Sequence, residues 1–238
     1  MNSIGYSTGA LALGDWSKAL NILQYTSGTA VELSALREGE LLPLINSLPS
    51  INLDKYSSIS FHAPSKSFTF EELELVNHLK VITSKKIPIV VHPDIIDDFD
   101  LWNDFGELLY IENMDLRKST GKDTEELSYL FEALPYASLC FDFGHAFQID
   151  PTLDLANSIV EKFCHRIKLI HLSEVNIDGQ HLLLTQKTLN AFSEVLNALL
   201  DIPVILESPA RKDDIYSEIE KVRRVFSETT SYSCAVAI

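Results

Sequence analysis

Seven histidines and a small set of carboxylates carry the chemical information in this 238-residue chain. Three of the histidines close short apolar runs: His62 in Ser-Phe-His-Ala-Pro, His92 in Val-Val-His-Pro-Asp and His171 in Leu-Ile-His-Leu-Ser. His145 follows a fourth run, in Asp142-Phe143-Gly144-His145, and His181 lies shortly after His171. The acids repeat this placement. Glu112 ends Tyr-Ile-Glu-Asn, Asp142 ends Leu-Cys-Phe-Asp, Glu207 ends Ile-Leu-Glu-Ser-Pro, and Glu32 lies near the end of Ala30–Ser34. Taken singly, each has an ordinary explanation: a histidine there anchors a loop, and an acid just after a strand caps the next helix. Their convergence on one place would be different, because carboxylates buried together lose hydration and repel one another. A divalent cation relieves both costs. Nitrogen and oxygen donors without thiolate suit Zn or Mn, with Fe or Co also compatible. The donors outnumber one tetrahedral site, which leaves one to three ions open, with Glu112 placed to bridge two of them.

Convergence depends on the elements that carry these residues. Short apolar or β-branched runs alternate with longer amphipathic segments. The strand candidates are Ile4–Thr8, Ala30–Ser34, Ser58–His62, Pro88–His92, Leu109–Asn113, Ser138–Asp142, Lys168–Leu172 and Val204–Glu207. Helices are predicted over Asp15–Tyr25, Glu38–Leu48, Glu71–Ser84, Asp123–Ala133, Asp154–His165, Gln186–Leu200 and Asp213–Phe226, with two turns between Asp98 and Phe105. Asp15, Thr69 and Thr152 are the capping candidates. Eight such βα units predict an α/β fold: a single-domain (β/α)8 TIM barrel over residues 1–227, followed by a tail over 228–238. An open doubly wound sheet would be expected to carry a glycine-rich phosphate loop, and neither GxGxxG nor a Walker pattern occurs. In a closed barrel every strand ends at the same mouth, so the residues above meet there. His78 and His165 fall within helices instead and read as solvated or core residues.

Composition narrows the function classes. The net charge of −15 opposes a nucleic-acid partner, although bound cations or a local basic patch would soften that argument. No apolar run reaches the ~20 residues of a membrane span, and the start lacks the features of a signal peptide, so a cytoplasmic location is expected. Three cysteines without a CxxC pair make a disulfide framework or zinc ribbon a poor reading, and Cys140 reads as a small core residue. The sequence leaves homo-oligomer formation open.

The motifs His62-Ala63-Pro64, His92-Pro93, Glu112-Asn113, Cys140 to Phe147, His171-Leu172 and Leu206-Glu207-Ser208-Pro209 together resemble the xylose isomerase-like barrel superfamily. Within it, the endonuclease IV branch is the nearer match, over about two thirds of the chain. That resemblance implies one metal on His62, His92 and Glu112, and a second on Asp142, His171 and Glu207 with Glu112 bridging. It implies a third on His145, Asp178 and His181, although that branch spaces its last pair as Asp-x-His and this chain reads Asp178-Gly179-Gln180-His181. Sugar isomerases and ketose 3-epimerases of the same superfamily hold their metal with Glu, Asp, His and Glu on strands five to eight. Glu112, Asp142, His171 and Glu207 match that quartet.

Two activities follow. The first is a divalent-metal-dependent isomerase or epimerase of a small sugar or sugar phosphate, with Glu112 or Glu207 as general base and His145 on a substrate oxygen. The alternative is an endonuclease IV-like phosphodiesterase acting at abasic sites in DNA. A metal-binding barrel without catalysis is the third reading. Arg37, Lys66, Arg117, Lys118, Arg211 and Lys212 follow strands and are expected at the rim. Arg117 and Arg211 are the candidates for binding a substrate phosphate or carboxylate.

Overall fold

The computed structural model describes residues 3–65, 69–196 and 199–228. Lys66, Cys234 and the expected tail beyond Glu228 lie outside them. The eight barrel strands are β1 (Ile4–Ser7), β2 (Ala30–Ser34), β3 (Ser58–His62), β4 (Ile89–Val91), β5 (Leu109–Glu112), β6 (Ser138–Asp142), β7 (Ile167–Leu172) and β10 (Val204–Leu206). Every neighbouring pair is parallel, and β10 returns to β1 through Ile4↔Val204, which closes the barrel. β1 and β2 pair very closely at Gly5↔Ala30. A Cβ on Gly5 would run into the Ala30 carbonyl, so only glycine fits there.

Strand side chains alternate between two cores. One set, with Val31, Leu33, Phe61, Ile89, Ile111, Phe141 and Ile170, packs outward against the helices. The other is a small inner plug of Ala30, Val90, Cys140, Leu169 and Ile205, with Tyr110 against it. Two residues beyond the plug along these strands stand Glu32, His92, Asp142, His171 and Glu207, and Glu112 stands two beyond Tyr110. The chemistry-bearing layer is therefore the next pleat above an apolar floor.

The outer helices are α2 (Trp16–Leu23), α3 (Glu38–Ser47), α4 (Glu72–Thr83), α5 (Phe99–Asn103), α6 (Thr124–Ala133), α8 (Asp154–Phe163), α9 (Gln186–Leu196) and α10 (Lys212–Glu228). Asp15 caps α2, its carboxylate accepting from Lys18 N at 2.9 Å. The other two capping expectations resolve differently. Thr69 hydrogen-bonds Glu38 instead, and α4 starts from Glu71. Asp150, not Thr152, accepts the amides of Thr152 and Leu155 ahead of α8. His165 lies just past α8 and is exposed.

Three elements lie beyond the predicted set: α1 (Thr8–Ala12) directly after β1, α7 (Phe143–Ile149) directly after β6, and an antiparallel hairpin of β8 (Glu174–Val175) with β9 (His181–Leu182). All three sit at the strands' C-terminal end. Among the described residues, no helix is long and apolar enough to cross a membrane.

Candidate metal centre at the barrel mouth

Glu112 is the hub of the site. Its carboxylate is buried at the end of β5, with one oxygen facing each way. Oε2 lies 3.2 Å from His62 Nε2 and 3.2 Å from His92 Nε2. Oε1 lies 3.4 Å from His171 Nδ1 and 3.5 Å from His145 Nδ1. Among the described residues, two groups have donor atoms mutually within 4.8 Å: His62, His92 and Glu112, and Glu112, Asp142, His171 and Glu207. Glu112 belongs to both.

Local structure fixes how each donor is presented. The imidazole of His62 donates from Nδ1 to the Ala63 carbonyl at 2.8 Å, which leaves Nε2 as the inward atom. Asp142 divides its two oxygens. Oδ1 accepts the His145 amide at 2.7 Å and so caps α7, while Oδ2 is buried without a hydrogen-bond partner. The helix-cap reading of this acid and its reading as a ligand are thus both available to one side chain. Asn113 extends the β5–β6 ladder past its end by accepting from Asp142 N and donating to Asp142 O, each at 2.8 Å. The turn of α7 carries His145 back over the site, where its Nδ1 donates to the Asn113 carbonyl at 2.9 Å and Nε2 is left to face the Asp115 carboxylate.

The hairpin delivers His181, whose Nδ1 lies 2.7 Å from Ser173 Oγ and 3.6 Å from Glu207 Oε2. Its ring stands 5.6 Å from that of His145. Asp178 is exposed in the hairpin turn and belongs to neither donor group. The carboxylate that faces His145 Nε2 is instead Asp115, fully buried and 3.9 Å away. Sequence reasoning missed Asp115, which sits in a loop between Met114 and Leu116 with no pattern to mark it.

Electrostatics support a cation here. Burial alone would raise the Glu112 pKa, yet the imidazoles of His92, His171 and His62 hold it well below the usual carboxylate range. Two other acids of the quartet, Glu207 and Asp142, are not compensated in this way. Burial pushes Glu207 up to about 7 against the pull of His171, with Glu112 and Asp142 adding to the rise. Burial likewise pushes Asp142 up to about 6, against His145 and with Glu112. Burial would lower His62, but its hydrogen bond to Glu112 and the surrounding carboxylates lift it to about 9. Without a metal, then, protons stand in for missing positive charge. Asp142 Oδ2, buried without a hydrogen bond and 3.4 Å from His145 Nδ1, and the two donor groups fit a divalent ion, and the N/O donor set fits Zn or Mn.

The mouth opens into a pocket of about 240 Å³. Leu13, Leu36, Met114 and Pro209 form apolar parts of its wall, and His62, His92, Glu112, His145, His181 and Glu207 reach it. Arg117 also lines it, but Asp115 grips the guanidinium through Nε at 2.9 Å and through Nη2. Gly179, at φ +70°, provides the flat seat on which that guanidinium lies. Lys118 is paired with Asp94 at 2.6 Å. Arg211 is exposed and lines a separate surface groove against α2.

The chain is thus a closed parallel TIM barrel with a shared His/Asp/Glu cluster at its C-terminal mouth. The chain belongs to the xylose isomerase-like TIM barrel family, whose family model matches residues 99–225. No curated protein matches it. Among solved structures it is similar to the TTHB071 protein from Thermus thermophilus, from a crystal soaked with ZnCl2. That likeness is 17% identical with a TM-score of 0.61, covering 96% of this chain and 100% of that one. It is also similar to 3-keto-D-glucoside 4-epimerase from E. coli, at 12% identity and TM-score 0.60 over 95% and 100% of the two chains. A family 2 AP endonuclease from Brucella melitensis aligns at 12% identity and TM-score 0.56, over 89% and 94%. Members of this superfamily are mostly enzymes, and at these identities the likeness speaks to the fold.

Proposed function

We propose that the protein is a divalent-metal-dependent isomerase or epimerase acting on a small sugar or sugar phosphate. The observation that carries this reading is the quartet Glu112, Asp142, His171 and Glu207, with donor atoms within 4.8 Å of one another beside a compact pocket. Sugar-converting enzymes among the structural relatives, such as the E. coli 3-keto-D-glucoside 4-epimerase, support it.

A divalent ion held by the quartet would supply Lewis-acid polarisation of a substrate carbonyl oxygen, which acidifies the neighbouring C–H. The remaining work falls to the chain. Glu207 faces the pocket with its side chain 13% exposed, placed to take the carbon-bound proton and return it. Glu112, at the end of β5, is the second carboxylate able to exchange that proton. His145 offers Nε2 to a substrate oxygen because Nδ1 is committed to the Asn113 carbonyl. Leu13, Leu36, Met114 and Pro209 give a small substrate apolar surface to pack against.

The test is solvent-deuterium exchange. Metal-loaded protein should convert a member of a ketose and sugar-phosphate panel and wash deuterium into the carbon next to its carbonyl. Glu207→Gln should abolish both. No conversion and no exchange across the panel would overturn the reading.

A second reading rests on the second donor group. His62 and His92 sharing Glu112 with the quartet is an arrangement suited to two-metal phosphoester hydrolysis. Incision of an abasic-site duplex above a Glu207→Gln control would favour it, and its absence would remove it.

A further inference from the structure

The buried carboxylate of Glu32 takes no part in either donor group, yet it touches the centre from the β2 side. It is fully buried inside the barrel. Its Oε2 lies 3.0 Å from His171 Nε2 and accepts the Ser60 hydroxyl at 2.9 Å. On its other side, His171 turns Nδ1 to Glu112 Oε1 at 3.4 Å and Glu207 Oε1 at 3.6 Å. The imidazole is therefore flanked by carboxylates at both nitrogens. His62 differs, with its outer nitrogen on a backbone carbonyl, and the other outer nitrogen of the cluster, His92 Nδ1, has no hydrogen-bond partner.

We infer that Glu32 is a positioning residue for the metal centre: it holds the proton on His171 Nε2, so that the Nδ1 lone pair is the one offered to the ion. A neutral imidazole has one N–H and one lone pair, and the hydrogen bond at one nitrogen decides which atom ligates. A carboxylate accepts and cannot donate, so Glu32 selects one tautomer and stiffens the ring's orientation. It also makes the ring a stronger donor than a carbonyl partner would.

This inference rests on the reading of the mouth as a metal centre, and the experiment separates the two. Full-length wild type, Glu32→Gln, Glu32→Leu and Ser60→Ala are titrated with Zn²⁺, and with Co²⁺ followed by its visible absorption. The protonated nitrogen of His171 is read by ¹⁵N NMR in the Zn-loaded state. Wild type should bind two ions, with Nε2–H on His171. Glu32→Gln should weaken one of the two sites by about 10-fold, and Glu32→Leu by up to about 100-fold, the range seen when such outer partners are lost. The site of His62, His92 and Glu112 should stay filled, and Ser60→Ala should bind as wild type does. A loss confined to one site together with an altered Co²⁺ spectrum is not produced by general loosening of the fold. If Glu32→Leu fails to fold, Glu32→Gln decides alone. Unchanged affinity and an unchanged His171 signal in that variant overturn the inference while leaving the metal centre intact. Wild-type protein that takes up no ion removes the centre and this inference with it.

Discussion

Because Glu112 is shared, metal-induced stabilisation should respond to substitutions in a pattern that other arrangements of the same residues would not give. An ion that binds only the folded chain stabilises it by about 2.7 kcal/mol at one hundred times its Kd. Two independent ions give about twice that. For a chain of this size each kcal/mol shifts Tm by about 2–4 °C. The wild type should therefore gain roughly 11–22 °C on saturation with Zn²⁺, measured by calorimetry against the chelated protein. Asp142→Asn touches only the quartet, whose donors lie within 4.8 Å, and His92→Ala touches only the three-residue group. Each should keep about half the gain. Glu112→Gln removes a ligand from both groups and should lose nearly all of it. Replacing Glu112 also releases four imidazoles that lie 3.2–3.5 Å from its oxygens, so its chelated form must be compared with its own metal-loaded form. If Glu112→Gln keeps as much of the gain as Asp142→Asn, or if either single-group variant loses all of it, the bridging argument is wrong.

Three other outcomes follow from the same geometry. His62 is lifted to about 9 in the metal-free protein, above its unfolded value of about 6.5. Its charge therefore favours folding fully below about 6.5, and that contribution is lost as pH rises through 9. Zinc affinity runs the opposite way, since the ligand must shed its proton. Calorimetry in buffers of different ionisation heat should show proton release on binding near neutrality, and affinity that does not tighten with pH would contradict this. Gly5→Ala should be severely destabilising, by about 4 kcal/mol or more, because its Cβ meets the Ala30 carbonyl of the neighbouring strand β2. A chemical-denaturation midpoint near that of wild type would refute the tight β1–β2 contact. Arg117→Ala strips the partner from buried Asp115 and should cost about 1–3 kcal/mol, with much of the loss recovered in the Arg117→Ala/Asp115→Asn pair. Strict additivity of the two changes would speak against that pairing.

How far the sequence carried this reading depended on whether periodicity or contact was the signal. β2, β3 and β6 begin and end at the predicted residues, because buried parallel strands read as apolar runs bounded by polar turns. The expectation that His62, His92, Glu112, Asp142, His171 and Glu207 face a common mouth needed only strand direction and closure. The elements that escaped notice are those without a period to detect. Phe143–Ile149 is a seven-residue helix buried on several sides, so no polar face marks it, and Thr8–Ala12 is shorter still. Asp115 escaped because it sits in a loop with no pattern, and the tie between Glu32 and His171 because it is a contact across the barrel. Glu32 did leave a trace: an acid enclosed by Ala30, Val31 and Leu33 must find a partner, although nothing in the sequence names His171.

The charge at the rim bears on which activity the mouth can serve. A duplex held by its phosphates needs several cations free to release counterions. Among the described residues lining the pocket, the two long-chain cations are already engaged, Arg117 by buried Asp115 and Lys118 by Asp94. A polyanion would have to displace those carboxylates while approaching a chain of net charge −15. A neutral or singly charged small substrate meets no such barrier. It needs only the quartet below, His145 and His181 beside it, and the apolar parts of the wall to pack against. The second donor group widens the chemistry the floor could perform, while the rim narrows what can reach it, and the small-carbohydrate reading is the one that satisfies both.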